Sequence, residues 1–259
     1  MRFYVISMSQ AVERREKLKT QFKQTYSNFE IIEGVDGKNL IAAEYFEKIK
    51  CYYDKYLRIV TPGEVGCALS HTRVYETFLK SSDNYALILE DDVIGTDKDI
   101  DEIIIIADRI KKEISKDFLW IVGGMEGLDK SKLFLETTRV SNVFLVKELS
   151  RRYLYRTVCY VITKNVARRI LEIQRSCLHV ADEWDKIVPS DVPILYSEIL
   201  KHPMENNSYI ETERNKLKKA YKEIISKSLK MGLDNKIHSL KLLIQSLFMI
   251  FSFSRDKSH

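Results

Sequence analysis

Three carboxylates stand in a row at Glu90-Asp91-Asp92, directly after the apolar run Tyr85 to Leu89 (YALIL). Read as a buried strand, that run delivers the three charges to its own end. Adjacent carboxylates repel, and burying each one without a partner is costly. A divalent cation resolves the conflict, and oxygen ligands suit Mn²⁺ or Mg²⁺. In α/β sheets, ligands bind outside the carboxyl ends of strands, which is where this cluster falls. Strand alternation puts Glu90 and Asp92 on one face and Asp91 on the other. The alternative is an acidic loop, solvated or paired with arginine. The apolar residues in front of the cluster favour the metal and phosphate reading.

Four weaker signals accompany it. Asp182-Glu183-Trp184-Asp185 follows His179 and precedes Ile187-Val188-Pro189. Asp182 suits the N-cap of a short helix and as a cap needs no other role; the functional reading makes Asp182 or Glu183 a general base. Arg14-Arg15 follows the first strand and reads as a solvated helix face, with a phosphate contact as the second reading. Cys67 and His71 stand four apart on a helix, and the pair alone reads as a packed, satisfied histidine rather than two ligands. Gly123-Gly124 suits a plain turn or a close backbone approach to a ligand equally well. There is no G-x-G-x-x-G, Walker loop, G-x-S-x-G or H-E-x-x-H.

Strands and helices alternate around these residues. Phe3 to Ser7 and Phe29 to Glu33 read as strands around a charged helix capped by Ser9 and running to about Gln24, a βαβ opening that implies a parallel sheet. The turn-like Gly34 to Gly37 closes the second strand, and Cys51 to Val60 reads as aromatic and irregular. Thr61-Pro62-Gly63-Glu64 carries an N-cap, a first-position proline and a capping-box glutamate, starting a helix to Leu79 or Lys80. Ile100 to Ile110 and Lys164 to Gln174 read as helices. Phe118 to Val122, Val143 to Leu149 and Arg156 to Thr163 read as strands. The sum is an α/β fold with a mixed sheet.

The 259 residues carry a net charge of +5. The tail from Arg214 holds 11 Lys/Arg against 3 Asp/Glu, which leaves a mildly acidic body before it. This division sets a catalytic domain at 1–213 and a basic tail at 214–259. It points away from nucleic acid and toward whatever the tail touches. Leu217, Ala220, Tyr221, Ile224, Ile225 and Leu229 share one helical face, Gly232 interrupts, and Ile237, Leu240, Ile244, Leu247 and Phe251 form a second apolar stripe. Two basic amphipathic helices suit an anionic membrane surface, the catalytic body or a second copy in a homodimer. No run reaches the roughly 20 apolar residues of a membrane span, and the opening residues do not form a signal peptide. The cysteines at 51, 67, 159 and 177 lack regular spacing, so four reduced thiols are expected rather than a zinc or disulfide framework.

Several segments together resemble one family. Thr61 to His71 (TPGEVGCALSH) resembles the GEIGC-x-LSH motif of family 25 glycosyltransferases, bacterial lipooligosaccharide enzymes related to the collagen galactosyltransferase domain. Leu87 to Val93 (LILEDDV) resembles the acidic motif of that family, and FYVIS with Arg14-Arg15 its opening. Thr157 to Thr163 resembles its G-x-x-A-Y-x-I strand, and His179 to Asp182 its P-x-D segment without the proline. The resemblance covers roughly residues 2 to 210. It implies a GT-A type fold, a Rossmann-like mixed sheet flanked by helices. It also implies a UDP-sugar donor, usually UDP-galactose, and inverting transfer to a hydroxyl of a lipid-linked oligosaccharide. On that view Asp92 and Glu90 hold Mn²⁺ or Mg²⁺, and Asp91 contacts the ribose or sugar. Ser7, Arg14 and His71 join Glu90 and Asp91 in the donor site, and Asp182 is the base with Glu183 as its rival. Such an enzyme is expected in the cytoplasm, peripheral on the inner membrane. The rival readings are a sugar nucleotidyltransferase and a non-catalytic membrane scaffold with a degenerate fold.

Overall fold

The computed structural model describes residues 1–204, 210–220, 222–223, 232–238 and 240. Its opening βαβ unit is β1 (Arg2–Ser7), α1 (Val12–Gln21) and β2 (Phe29–Glu33), with the two strands parallel. Ala11, not Ser9, caps α1. Ser9 is held in the preceding loop instead: its amide donates to Glu33 Oε1 at 2.9 Å and its carbonyl accepts from Arg15 at 2.7 Å. Of the segment read as irregular, Leu57 to Val60 are irregular, and Cys51 to Tyr56 belong to a helix, α2 (Ala42–Tyr56), whose buried Ile49 and Tyr52 lie three apart on one face. The extra aromatics on its other faces blur that period in the sequence.

α3 (Pro62–Lys80) starts as the sequence writes it, with both capping-box bonds present and proline in its first turn. It is followed by β3 (Tyr85–Glu90), α4 (Asp97–Glu113) and β4 (Leu119–Gly123). The expected strand at Val143 to Leu149 shrinks to β6 (Phe144–Val146), paired with the unforeseen β5 (Leu135–Thr137), and a 3-10 turn covers Glu148–Tyr153. β7 (Cys159–Thr163) leads into α5 (Lys164–Ser176), and a short α6 (Trp184–Ile187) precedes the unforeseen β8 (Ile194–Leu200). β5 is only three exposed residues and β8 begins with four consecutive buried ones, so neither shows a strand alternation on its own.

The eight strands form one sheet in the order β2-β1-β3-β7-β4-β8-β6-β5. β1 is parallel to β2 and β3, β7 is antiparallel to β3 and β4, and β8 is parallel to β4. The expected mixed sheet flanked by helices is therefore the fold of this region. Alternation along its central strands fills both faces. Ala86, Ile88, Leu119 and Ile121 pack with Val74 and Phe78 of α3 and Val166 and Ile170 of α5. Leu87, Leu89, Trp120 and Val122 pack with Leu18 of α1 and with Ile100 and Ile103 of α4.

A third cluster joins α2 to the loop after α5 through Ile49, Tyr52, Leu178 and Val180. There Cys51 and Cys177 are disulfide-bonded, with Cα atoms 5.5 Å apart across 126 residues of chain. This corrects the expectation of four reduced thiols. The pairing depends on α2 packing against that loop, which sequence spacing does not report. Cys67 and Cys159 are not disulfide-bonded.

Residues 1–207 and 208–259 form two compact units. In the second, 210–220, 222–223, 232–238 and 240 are helical, with Gly232 the first residue of the stretch 232–238. Leu233, Ile237 and Leu240 are exposed. The expected stripe residues Tyr221, Ile224, Ile225, Leu229, Ile244, Leu247 and Phe251 lie outside the described residues. Among the described residues, no helix is long and apolar enough to cross a membrane.

Candidate active site

Strand directions gather the site. Because β7 runs against β3 and β4, the carboxyl ends of β1, β3, β4 and β8 and the start of β7 all fall at one edge of the sheet. Ser7, Glu90 to Asp92, Gly123-Gly124 and His202 stand at or just beyond the ends of those four strands, and Arg156 and Thr157 precede β7. From β1 the chain turns one way to β2 and the other to β3, so Ser7 and Asp91 meet at a topological switch point, the usual ligand crevice of such sheets.

The three carboxylates have separate surroundings. Asp91 is 8% exposed; its Oδ2 accepts the Ser7 hydroxyl at 2.7 Å and its Oδ1 the Arg14 guanidinium at 2.9 Å. Burial pushes the Asp91 carboxyl up, and the hydrogen bonds from Arg14 and Ser7 draw it only part of the way back. Arg15 donates to the Ser7 hydroxyl at 3.0 Å, so both arginines of the pair face the site rather than forming a solvated surface alone. Asp92 has Arg14 at 3.5 Å and His202 at 3.6 Å from its Oδ2. Burial opposes its ionisation, but the His202 bond and the charges of His202 and Arg14 outweigh that and hold its pKa below the usual value. Its Oδ1 is buried with no hydrogen-bond partner.

Glu90 turns elsewhere. Its Oε1 accepts the Thr157 hydroxyl and lies 3.5 Å from His71 Nε2. His71 is buried as expected, but it is satisfied on one side only: Nδ1 meets the Tyr160 hydroxyl at 2.7 Å, while Nε2 has no hydrogen-bond partner. Cys67, His71 and Glu90 thus come together, and their ligand atoms lie within 4.8 Å of one another.

Asp182 and Glu183 are divided by their contacts. Glu183, not Asp182, is the N-cap residue of α6, without a side-chain cap bond. Asp182 is drawn away because its Oδ2 accepts the Arg156 amide at 3.2 Å, and Arg156 is held at a left-handed φ of 69°. Asp182 is thereby tied to the residue before Thr157 and so to the strand-end cluster. Glu183 sits in an ionic group: its Oε1 accepts Tyr52 at 2.6 Å, Lys186 at 2.8 Å and Arg58 at 3.2 Å. Its Oε2 is buried with no hydrogen-bond partner.

The loop Gly34 to Gly37 sets the height of α3 over this edge. A Cβ on Gly37 would lie 1.8 Å from the Pro62 carbonyl oxygen, and one on Gly66 2.4 Å from that of Val35. Only hydrogen at these two positions allows the backbones to touch. His202, Thr157 and Arg156 were not singled out by sequence reasoning. His202 follows a strand that was not foreseen, and the other two lay inside a stretch read as plain strand.

Carboxylates, a serine and paired arginines thus gather at the carboxyl edge of an α/β sheet covered on both faces. The chain belongs to glycosyltransferase family 25: residues 1–188 match the family described as "Glycosyltransferase family 25 (LPS biosynthesis protein)". It is 27% identical over 229 residues to procollagen galactosyltransferase 2 of Mus musculus, covering 81% of this chain and 32% of that protein. It is 26% identical over 221 residues to a glycosyltransferase 25 family member of Drosophila melanogaster, covering 83% and 33%. The chain spans about a third of the length of the curated relatives it matches. A crystal structure of S. aureus TarS 1-349 is similar with a TM-score of 0.37 and 12% identity, over 76% of this chain and 60% of that one.

Proposed function

We propose that this chain is an inverting glycosyltransferase. It moves galactose from UDP-galactose to a hydroxyl of a lipid-linked oligosaccharide. The observation that carries this reading is Asp92 Oδ1, a buried carboxylate oxygen with no partner at the strand-end crevice. A buried anionic oxygen left bare is costly, and a cation relieves it. The oxygen donor at hand, the Asp92 carboxylate, suits Mn²⁺ or Mg²⁺. When bound there, the ion would offset the diphosphate charge as UDP departs. Family membership and the printed names of the galactosyltransferase relatives support the sugar.

Each protein group has a task on this reading. Ser7 and Arg14 hold the Asp91 carboxylate in place to meet the ribose or sugar hydroxyls. Asp182 takes the proton of the acceptor hydroxyl as it attacks, the single base that direct inversion needs. The basic tail, with its excess of Lys and Arg from Arg214 on, keeps the enzyme on the anionic cytoplasmic face of the membrane where such an acceptor lies.

A donor screen tests the proposal. The full chain is incubated with UDP-sugars and a truncated glycolipid acceptor, with and without Mn²⁺, and free UDP is followed. UDP release should need metal and acceptor and favour UDP-galactose, and Asp92→Ala should abolish it while the protein stays folded. Undiminished turnover in excess chelator would refute the metal reading. Pyrophosphate as product would assign the chain to nucleotidyl transfer instead.

A further inference from the structure

We propose that Cys67, His71 and Glu90 form a second cation site, separate from Asp92, for a borderline-soft divalent metal of the zinc class. α3 sets Cys67 and His71 one turn apart on the same face, and Glu90 ends the strand beside it. The ligand atoms of all three lie within 4.8 Å of one another. Around a tetrahedral zinc with bonds of about 2.0–2.3 Å, neighbouring ligand atoms are roughly 3.3–3.8 Å apart. His71 Nε2 and Glu90 Oε1, at 3.5 Å, already have that spacing.

The independent observation is the state of His71. The residue is 2% exposed, yet Nε2 has no hydrogen-bond partner. The other ring nitrogen is fixed from behind: Nδ1 lies 2.7 Å from the Tyr160 hydroxyl, which lies 2.9 Å from that of Tyr75. When Nδ1–H donates to Tyr160, the Nε2 lone pair is aimed at Glu90 and Cys67. An imidazole anchored through its far nitrogen, with the near one bare, is the outer-shell pattern of a metal-bound histidine. A histidine that merely packed against Glu90 would turn Nε2–H into a hydrogen bond with it.

The donor set selects the ion. A thiolate and an imidazole suit zinc, whereas Mg²⁺ and Mn²⁺ take oxygen ligands. On binding, the Cys67 S–H bond breaks, the proton passes to solvent and the sulfur lone pair goes to the metal. The thiolate and the Glu90 carboxylate then balance the two positive charges. Three protein ligands are the number found where one position is kept for a non-protein ligand.

The test uses the full chain, stripped of metal and titrated with Co²⁺ and Zn²⁺ alone, without nucleotide. One equivalent of Co²⁺ should give a near-ultraviolet thiolate-to-cobalt charge-transfer band, and Zn²⁺ should displace it. Cys67→Ser, nearly isosteric, should lose the band, whereas Cys159→Ala should keep it. His71→Ala should weaken Zn²⁺ binding by about 100-fold or more, and Tyr160→Phe by about 10- to 100-fold, the usual effect of an outer-shell partner. Asp92→Ala should keep the band while losing Mn²⁺-dependent UDP binding, so this site and the donor site fail separately. Absence of the band in the parent protein, or its survival in Cys67→Ser, overturns the proposal. Its loss in Asp92→Ala overturns the separation of the two sites.

Discussion

Glu64→Ala removes two supports of α3 at once, and their sum can be worked out. Glu64 is 1% exposed. Its Oε2 accepts the Thr61 amide at 2.8 Å, and its own amide donates to Thr61 Oγ1 at 3.2 Å. Loss of a cap of this kind costs about 1 kcal/mol. Its Oε1 also pairs with Arg58, and a hydrogen bond to a charged group contributes about 1.5–3 kcal/mol. The lower end applies, because the Arg58 side chain is 39% exposed and keeps Glu183 at 3.2 Å. The expected loss is therefore about 2.5 kcal/mol. At about 2–4 °C per kcal/mol for a unit of this size, the melting temperature should fall by about 5–10 °C. Thr61→Ala, which leaves the ion pair intact, should lower it by about 2–4 °C. The double variant should lose less than the sum, since both changes break the same box. Thermal unfolding followed by circular dichroism reads all three. A Glu64→Ala protein melting within about 1 °C of the parent would show that the buried pair contributes nothing, and the reasoning would fall.

Other outcomes follow from the same geometry. Asp182→Asn should slow transfer by about 100-fold with UDP affinity nearly unchanged, whereas Glu183→Gln should mainly lower stability; the reverse pattern in kinetics and melting would move the base to Glu183. Cys177→Ser opens a loop of 126 residues, and chain entropy sets the loss at about 5 kcal/mol, read as a lower denaturant midpoint. Four titratable thiols in the denatured, unreduced parent would contradict the disulfide. Burial holds the His179 imidazole below its ordinary 6.5, and its bond to the Cys177 carbonyl only partly offsets that. Between its folded and unfolded values the unfolded chain binds the proton more readily, so stability should fall as pH drops below about 6.5. His179→Asn should flatten that decline in a melting series from pH 7.5 to 5, and an unchanged slope would place its origin elsewhere.

Contacts between near neighbours along the chain are written in the residues themselves. The apolar run before Glu90, the capping box at Thr61 and the helical period of Ile100 to Ile110 act within a few residues, so β3, α3 and α4 were legible. So was the acidic cluster, because three charges after a buried run are a local contradiction whatever surrounds them. α2 was hidden because its aromatics lie on several faces, and β8 because its first four residues are all buried, which leaves no alternation to read. Closure of the site depends instead on long-range packing. His202 reaches Asp92 because β8 runs parallel to β4, and Thr157 meets Glu90 because β7 runs antiparallel to β3. Cys51 joins Cys177 because α2 packs on the loop after α5. His71 is a packed residue on its own helix and becomes half of an open pair only when Glu90 arrives opposite it. Each of these contacts spans many residues of chain and rests on strand order, a property set by the whole hydrophobic core rather than by any window of sequence.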